Sequence, residues 1–188
     1  ELAQALAAGF SPQEIVFDSP AKTARELRQA LAAGIALNID NFQELERINA
    51  LRAQSPSGSS LGLRINPQIG LGGIAAMSTA GASSKFGVPL QDPGLREQIL
   101  AAYAADPAMN RIHTHVGSQG CPLPLIGAGI AKVVDLAEEV NRRAGFQQIR
   151  TIDIGGGLPV DFESDEPVAA FDAYVAQLQE SAPALFSG

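Results

Sequence analysis

Four short stretches carry side chains or backbone suited to chemistry. Residues 151–157 read Thr-Ile-Asp-Ile-Gly-Gly-Gly: a buried-strand pattern that runs straight into three glycines. Glycine permits positive φ and lets an anion approach backbone N–H groups closely, so this bend is either a phosphate-binding turn or a tight strand-to-helix turn that needs glycine for steric reasons. The contiguous glycines lack the spacing of a dinucleotide fingerprint, and no Gly-Lys-Ser/Thr follows to make a nucleotide-triphosphate loop. The second stretch, His113-Thr-His115-Val-Gly-Ser118-Gln119, holds the only two histidines of the chain. At alternate positions of one strand their rings share a face. A zinc pair would need carboxylate or thiolate partners that are not obvious nearby. The remaining readings are a pair of core histidines, or one imidazole lying flat on a planar cofactor while Ser118 donates to a phosphate or ring substituent.

The third stretch is Leu63-Arg64-Ile65-Asn66-Pro67. An arginine within a buried strand is costly unless it meets an anion or its head reaches solvent at the strand end. The fourth is Ser83-Ser84-Lys85-Phe86-Gly87. Of the three lysines, Lys22 and Lys132 are expected on helix surfaces, and Lys85 either pairs with an acid of a neighbouring subunit or is plain surface.

These residues need elements to position them. Five apolar runs have the length and branching of parallel strands covered on both faces: Ile15–Asp18, Ala36–Asp40, Leu61–Pro67, Ile112–Gly117 and Thr151–Gly155. Helical patterns lie between them: Ala21–Ala33 closed by Gly34, a helix capped by Asn41 with Glu44 three residues on, one begun by Asp92 and Pro93 and running to about Ala105, Leu125–Ala144, and Pro167–Ala182. Gln68–Ser84 reads as a long glycine-rich loop. Strand–helix alternation implies βαβ units in a parallel sheet, either open and doubly wound or closed as a (β/α)8 barrel. A complete barrel needs about 250 residues, so a chain of 188 residues would hold an incomplete one.

Composition narrows the partners. Hydrophobic residues are 46% and charged residues 18%, ordinary for a globular domain. The net charge of −7 and the absence of a basic run argue against nucleic acid. No apolar stretch is long enough to span a bilayer. The single cysteine, Cys121, cannot form an intramolecular disulfide and fits a reducing, cytoplasmic setting.

Taken in order, Gly62-Leu-Arg64-Ile-Asn-Pro67, Ser84-Lys85-Phe86-Gly87, His113-Thr-His115-Val-Gly-Ser118-Gln119 and Asp153-Ile-Gly155-Gly156-Gly157-Leu-Pro159 resemble the ornithine/diaminopimelate/arginine decarboxylases, pyridoxal-phosphate enzymes with an alanine-racemase-like barrel. Ile15-Val-Phe-Asp18, Pro20-Ala-Lys22 and Asn38-Ile-Asp40 fit the same order, so the resemblance covers nearly the whole chain. It implies a TIM-type α/β barrel with about five of its eight strands in this sequence, residues 1–188 forming the central part of one cofactor-binding domain. It implies pyridoxal phosphate as cofactor, with His115 stacked on the ring, Ser118 and the amides of Gly155, Gly156 and Gly157 at the phosphate, and Arg64 near the ring substituents. It further implies an amino-acid substrate and a homodimer with shared active sites and Lys85 near the interface. The family's Schiff-base lysine, in a Tyr/Phe-x-Val-Lys-x-Asn motif, its Glu-Pro-Gly-Arg motif and its C-terminal β domain have no counterpart in these residues, and the segment alone is expected to be inactive. A racemase of the same fold type and a barrel that binds cofactor without catalysis are the rival readings.

Overall fold

The computed structural model describes residues 2–69, 84–117, 121–158, 162 and 171–187. Ser118, most of the Gln68–Ser84 loop and the expected start of the last helix at Pro167 lie outside these residues. Helix α1 (Leu2–Ala7) leads into β1 (Val16–Asp18), α2 (Ala24–Ala33), β2 (Ala36–Ile39), α3 (Phe42–Gln54), β3 (Leu61–Asn66), β4 (Val88–Pro89), α4 (Leu95–Ala105), β5 (Met109–His113), α5 (Leu123–Ala144), β6 (Thr151–Asp153) and α6 (Phe171–Ser181). Among the described residues every strand pairing is parallel, in the order β1-β2-β3-β5-β6, with the two-residue β4 set against the end of β3.

Whether this sheet is open or curled follows from distances between strands that are not neighbours. Three strand spacings amount to about 14 Å on a flat sheet. Yet Asn38 on β2 donates to Asp153 on β6 at 2.8 Å, and Asp18 at the end of β1 lies 3.3 Å from His113 on β5. Only a sheet rolled about its strand direction brings those side chains together, so the chain forms a partial barrel. Its two faces differ. Leu37, Ile39, Leu61, Leu63, Ile65 and Ile112 point outward into one cluster with Leu27, Ile48, Ile99 and Val133 of the surrounding helices. The alternate residues, Asn38, Asp40, Arg64, Asn66, Arg111 and His113, are buried polar groups facing inward.

The helix boundaries have local causes. Thr23 and Glu26 form a reciprocal capping box, which starts α2 at Ala24, after the expected Ala21. Gly34 ends that helix at φ +74°. Asn41 caps α3 by accepting from the Glu44 amide at 2.9 Å, as expected. Asp92 and Pro93 do not start α4; Gly94, at φ +81°, is the residue before its first turn. The strand expected at Ile112–Gly117 spans Met109–His113, which leaves His115 just beyond it.

Gly62 is the tightest point of the sheet. A Cβ there would lie 2.3 Å from the Arg111 carbonyl oxygen and 2.5 Å from the Arg111 Cγ. The buried Tyr103 hydroxyl bridges the same place, donating to the Arg111 carbonyl at 2.8 Å and accepting from the Leu63 amide at 3.1 Å. Burial pushes that phenol well above its ordinary pKa, so it stays a donor. Gly62→Ala is therefore expected to destabilise the protein by about 3 kcal/mol or more, because a backbone clash cannot be relieved by a rotamer change. Urea unfolding of the full-length protein checks it; a loss under about 1 kcal/mol would refute it.

Candidate functional site

Parallel strands place all their C-terminal ends together, and the inward polar residues accumulate there. The glycine turn and the second histidine meet at that end: the Gly156 N–H donates to Nδ1 of His115 at 3.2 Å. Gly155 adopts φ +69° and Gly157 φ +106°. A Cβ on Gly155 would come within 2.7 Å of the Thr114 carbonyl and 2.8 Å of His115 Nδ1, whereas the space beside Gly156 is open. The steric demand of the turn thus falls on Gly155, and the space beside Gly156 stays clear. Two amides of the turn have partners within the chain: Gly155 N–H donates to Asp153 Oδ1 at 3.0 Å and Gly156 N–H to His115.

Accepting at Nδ1 leaves the His115 proton on Nε2. Burial, then the charge of Arg64 and the proximity of His113, hold this imidazole below its ordinary pKa, so it is neutral near pH 7. The ring is half-buried at the barrel mouth.

Arg64 finds its anion within the chain. Its guanidinium lies 3.5 Å from Asp40 Oδ1, with both side chains nearly buried, and 5.0 Å above the Phe86 ring. The Gly87 N–H donates to the same Asp40 oxygen at 3.2 Å. Burial raises the Asp40 pKa, and Arg64 and this amide oppose the rise. The Lys85-Phe86-Gly87 motif therefore shapes the ground under Arg64. Lys85 itself is exposed, its Nζ 5.2 Å over Phe86.

Lys22 is the main correction. It is not on a helix surface but buried, one residue before the α2 cap. Its ammonium donates to the Ser19 and Asn38 carbonyls at 2.6 Å each and to both Glu44 oxygens at 3.1 Å. Glu44 also accepts from the Asp40 amide at 2.8 Å. Polar character hid this residue, because a lysine in an exposed-looking turn gives no sign of burial. Lys132 is half-buried on α5, its Nζ 3.4 Å from the Pro67 carbonyl.

The other residues missed from sequence are Asp18, Asn38, Arg111 and Asp153. Asp153 accepts from Asn38, stands 3.2 Å from His113 Nδ1, and lies 3.5 Å from Arg111. Burial alone would raise its pKa, but the hydrogen bonds and charge of His113, with the bonds from Asn38 and the Gly155 amide, hold it well below the carboxylate range. The alternation of Asp153 with Gly155 was the available signal, since the two must share a face. Among the described residues no group of three or more His, Cys, Asp or Glu is arranged to hold a metal ion, and no helix is long and apolar enough to cross a membrane.

A neutral imidazole, a buried guanidinium and a glycine turn open at Gly156 converge at one end of the partial barrel. That donor set fits a phosphorylated planar ring: a flat face for stacking, a cation near its polar substituents and close-approach backbone for its phosphate. The molecule is therefore of the α/β-barrel class, with this polar cluster at the C-terminal ends of its strands.

Comparison with known proteins agrees. Residues 1–188 match the family described as pyridoxal-dependent decarboxylase, pyridoxal binding domain, and the chain belongs to that family. Pyridoxal phosphate is accordingly its cofactor. A diaminopimelate decarboxylase of Zymomonas mobilis is 33% identical over 168 residues, covering 89% of this chain and 39% of that protein. One from Pseudomonas aeruginosa is 30% identical over 187 residues, covering 96% and 43%. The crystal structure of diaminopimelate decarboxylase from Helicobacter pylori complexed with L-lysine superposes with a TM-score of 0.77 at 28% identity, covering 95% of this chain and 45% of that one. The chain thus spans about two fifths of the length of the curated relatives it matches.

Proposed function

We propose that the protein containing this chain is a pyridoxal-phosphate-dependent amino-acid decarboxylase and that its substrate is diaminopimelate. The observation that carries the cofactor site is the 3.2 Å contact between the Gly156 amide and His115, which joins the phosphate-type turn to the ring-stacking side chain. The substrate rests on the relatives from Zymomonas mobilis, Helicobacter pylori and Pseudomonas aeruginosa, all diaminopimelate decarboxylases.

When bound, the cofactor supplies an electron sink for charge developing at the substrate Cα. The chain's own residues bind and orient. His115 offers a neutral ring face, with its proton held on Nε2 by the Gly156 bond. Ser118 and the glycine turn would hold the phosphate, and Arg64, anchored by Asp40 and Phe86, would set the charge beside the ring. A histidine kept neutral by burial and by Arg64 stacks without adding a second positive charge there. The reading extends to a cytoplasmic homodimer with Lys85, exposed beside Phe86, near the interface.

The experiment uses the full-length protein loaded with pyridoxal phosphate and measures carbon dioxide release from diaminopimelate, lysine, ornithine and arginine. Release is expected to be fastest from diaminopimelate, and His115→Ala is expected to lower kcat/KM at least about a hundredfold, the loss of roughly 3 kcal/mol of positioning. Cofactor binding without carbon dioxide release from any of the four would replace this reading with the non-catalytic one. Interconversion of substrate stereoisomers without gas release would replace it with the racemase.

A further inference from the structure

We propose that Asp153 and His113 are positioning residues that set the glycine turn and, through it, the ring of His115. The proposal deepens the cofactor-site reading above and rests on it. Neither residue is needed to touch the cofactor.

Asp153 is the last residue of β6 and the hub of the inward polar face. Its Oδ1 accepts from the Gly155 N–H at 3.0 Å, and its Oδ2 accepts from Asn38 Nδ2 at 2.8 Å. Asn38 is in turn held by Arg111, whose Nε donates to its Oδ1 at 3.1 Å. The carboxylate therefore cannot rotate without breaking bonds on both oxygens. That fixes the Gly155 amide, and with it the left-handed conformation at Gly155. The next peptide then presents the Gly156 N–H to His115 Nδ1. One side chain at the strand end thus acts, through the turn, on which ring nitrogen of His115 carries the proton.

His113 holds the hub from below. It is 1% exposed, and its Nδ1 lies 3.1 Å from the Asp153 carbonyl and 3.2 Å from Asp153 Oδ1. Both neighbours are acceptors, so Nδ1 carries the proton and donates. Its Nε2 is buried without a hydrogen-bond partner among the described residues, although Asp18 Oδ2 lies 3.3 Å away out of alignment. A histidine accepts that cost only where its other nitrogen is firmly engaged, and the engagement is with Asp153. The two histidines of the motif therefore have different duties: His113 holds the carboxylate, and His115 receives its effect through the turn.

The test reads the ring directly. In nitrogen-15-labelled, cofactor-free full-length protein, a through-hydrogen-bond coupling between the Gly156 amide nitrogen and His115 Nδ1 is expected, with His115 wholly in its Nε2–H form. Asp153→Ala is expected to abolish the coupling, mix the two tautomers and weaken pyridoxal-phosphate binding about tenfold by calorimetry. Asp153→Asn keeps an oxygen for the Gly155 amide, gives up the Asn38 bond on its other side, and is expected to retain the coupling. Absence of the coupling in the unsubstituted protein overturns the proposal, as does its persistence in Asp153→Ala. Should Asp153→Ala not fold, the unsubstituted protein and Asp153→Asn still decide, loss of the coupling in Asp153→Asn counting against the proposal. Failure of the unsubstituted protein to bind pyridoxal phosphate, with the coupling behaving as described, would refute the cofactor-site reading and leave the positioning role standing.

Discussion

Replacing Gly155 with alanine is expected to lower the affinity of the full-length protein for pyridoxal phosphate about a hundredfold or more. Two costs add. A left-handed φ of +69° costs a residue with a Cβ roughly 1–2 kcal/mol. The new methyl would also stand 2.7 Å from the Thr114 carbonyl and 2.8 Å from His115 Nδ1, so backbone or imidazole must move. Overpacking of that kind costs about 1–3 kcal/mol. A hundredfold change corresponds to about 2.7 kcal/mol, within the combined range. The easier movement is that of the imidazole, which breaks the bond to Gly156 and tilts the ring. Gly156→Ala is the control for folding: nothing lies near its added methyl, and its φ is not positive, so stability is expected to change by less than about 1 kcal/mol. Calorimetric titration of cofactor and thermal unfolding of both variants check these results. Affinity in Gly155→Ala equal to that of the unsubstituted protein would count decisively against a site built on this turn.

The largest expected effect on stability belongs to the Lys22–Glu44 pair. Glu44→Ala is expected to cost about 3–5 kcal/mol, because it leaves a buried ammonium without its carboxylate. The side chains are 0% and 4% exposed, so water cannot take the place of the missing partner. The loss spreads into the site, since Glu44 also accepts from the Asp40 amide, and Asp40 anchors Arg64. Replacing a buried pair with apolar residues is often harmless. Here Lys22→Met combined with Glu44→Leu is expected to remain destabilised, because the Ser19 and Asn38 carbonyls and the Asp40 amide would all lose their partners. Urea denaturation of Glu44→Ala and of the double variant measures this. Recovery of full stability in the double variant would mean that these three backbone groups find other partners.

The strand and helix order was legible because local chemistry writes it. Gly34 and Asn41 are signals read within one turn of chain, and the apolar runs that became β2 and β3 need no distant information. The four motifs were legible for a related reason: positive φ and close backbone approach demand glycine, and a charge inside a strand demands a partner, so unusual residue types mark the positions. Arg64 was recognised as needing an anion, but its partner Asp40, 24 positions earlier, has no local signature. Lys22 was misplaced for the same reason, since its burial is created by carbonyls and a carboxylate from three different segments.

Residue types and spacing by themselves determined that this chain makes parallel βα units, with a glycine turn and a histidine at strand ends, because those are matters of backbone freedom and periodicity. Periodicity left the sheet open or rolled and only the resemblance implied the barrel; the tertiary structure alone decided which polar groups pair across it: Asn38 with Asp153, Asp18 beside His113, Gly156 with His115. Curvature is a property of the whole sheet, and contacts across a lumen join residues up to 115 positions apart, a separation over which no local pattern carries information.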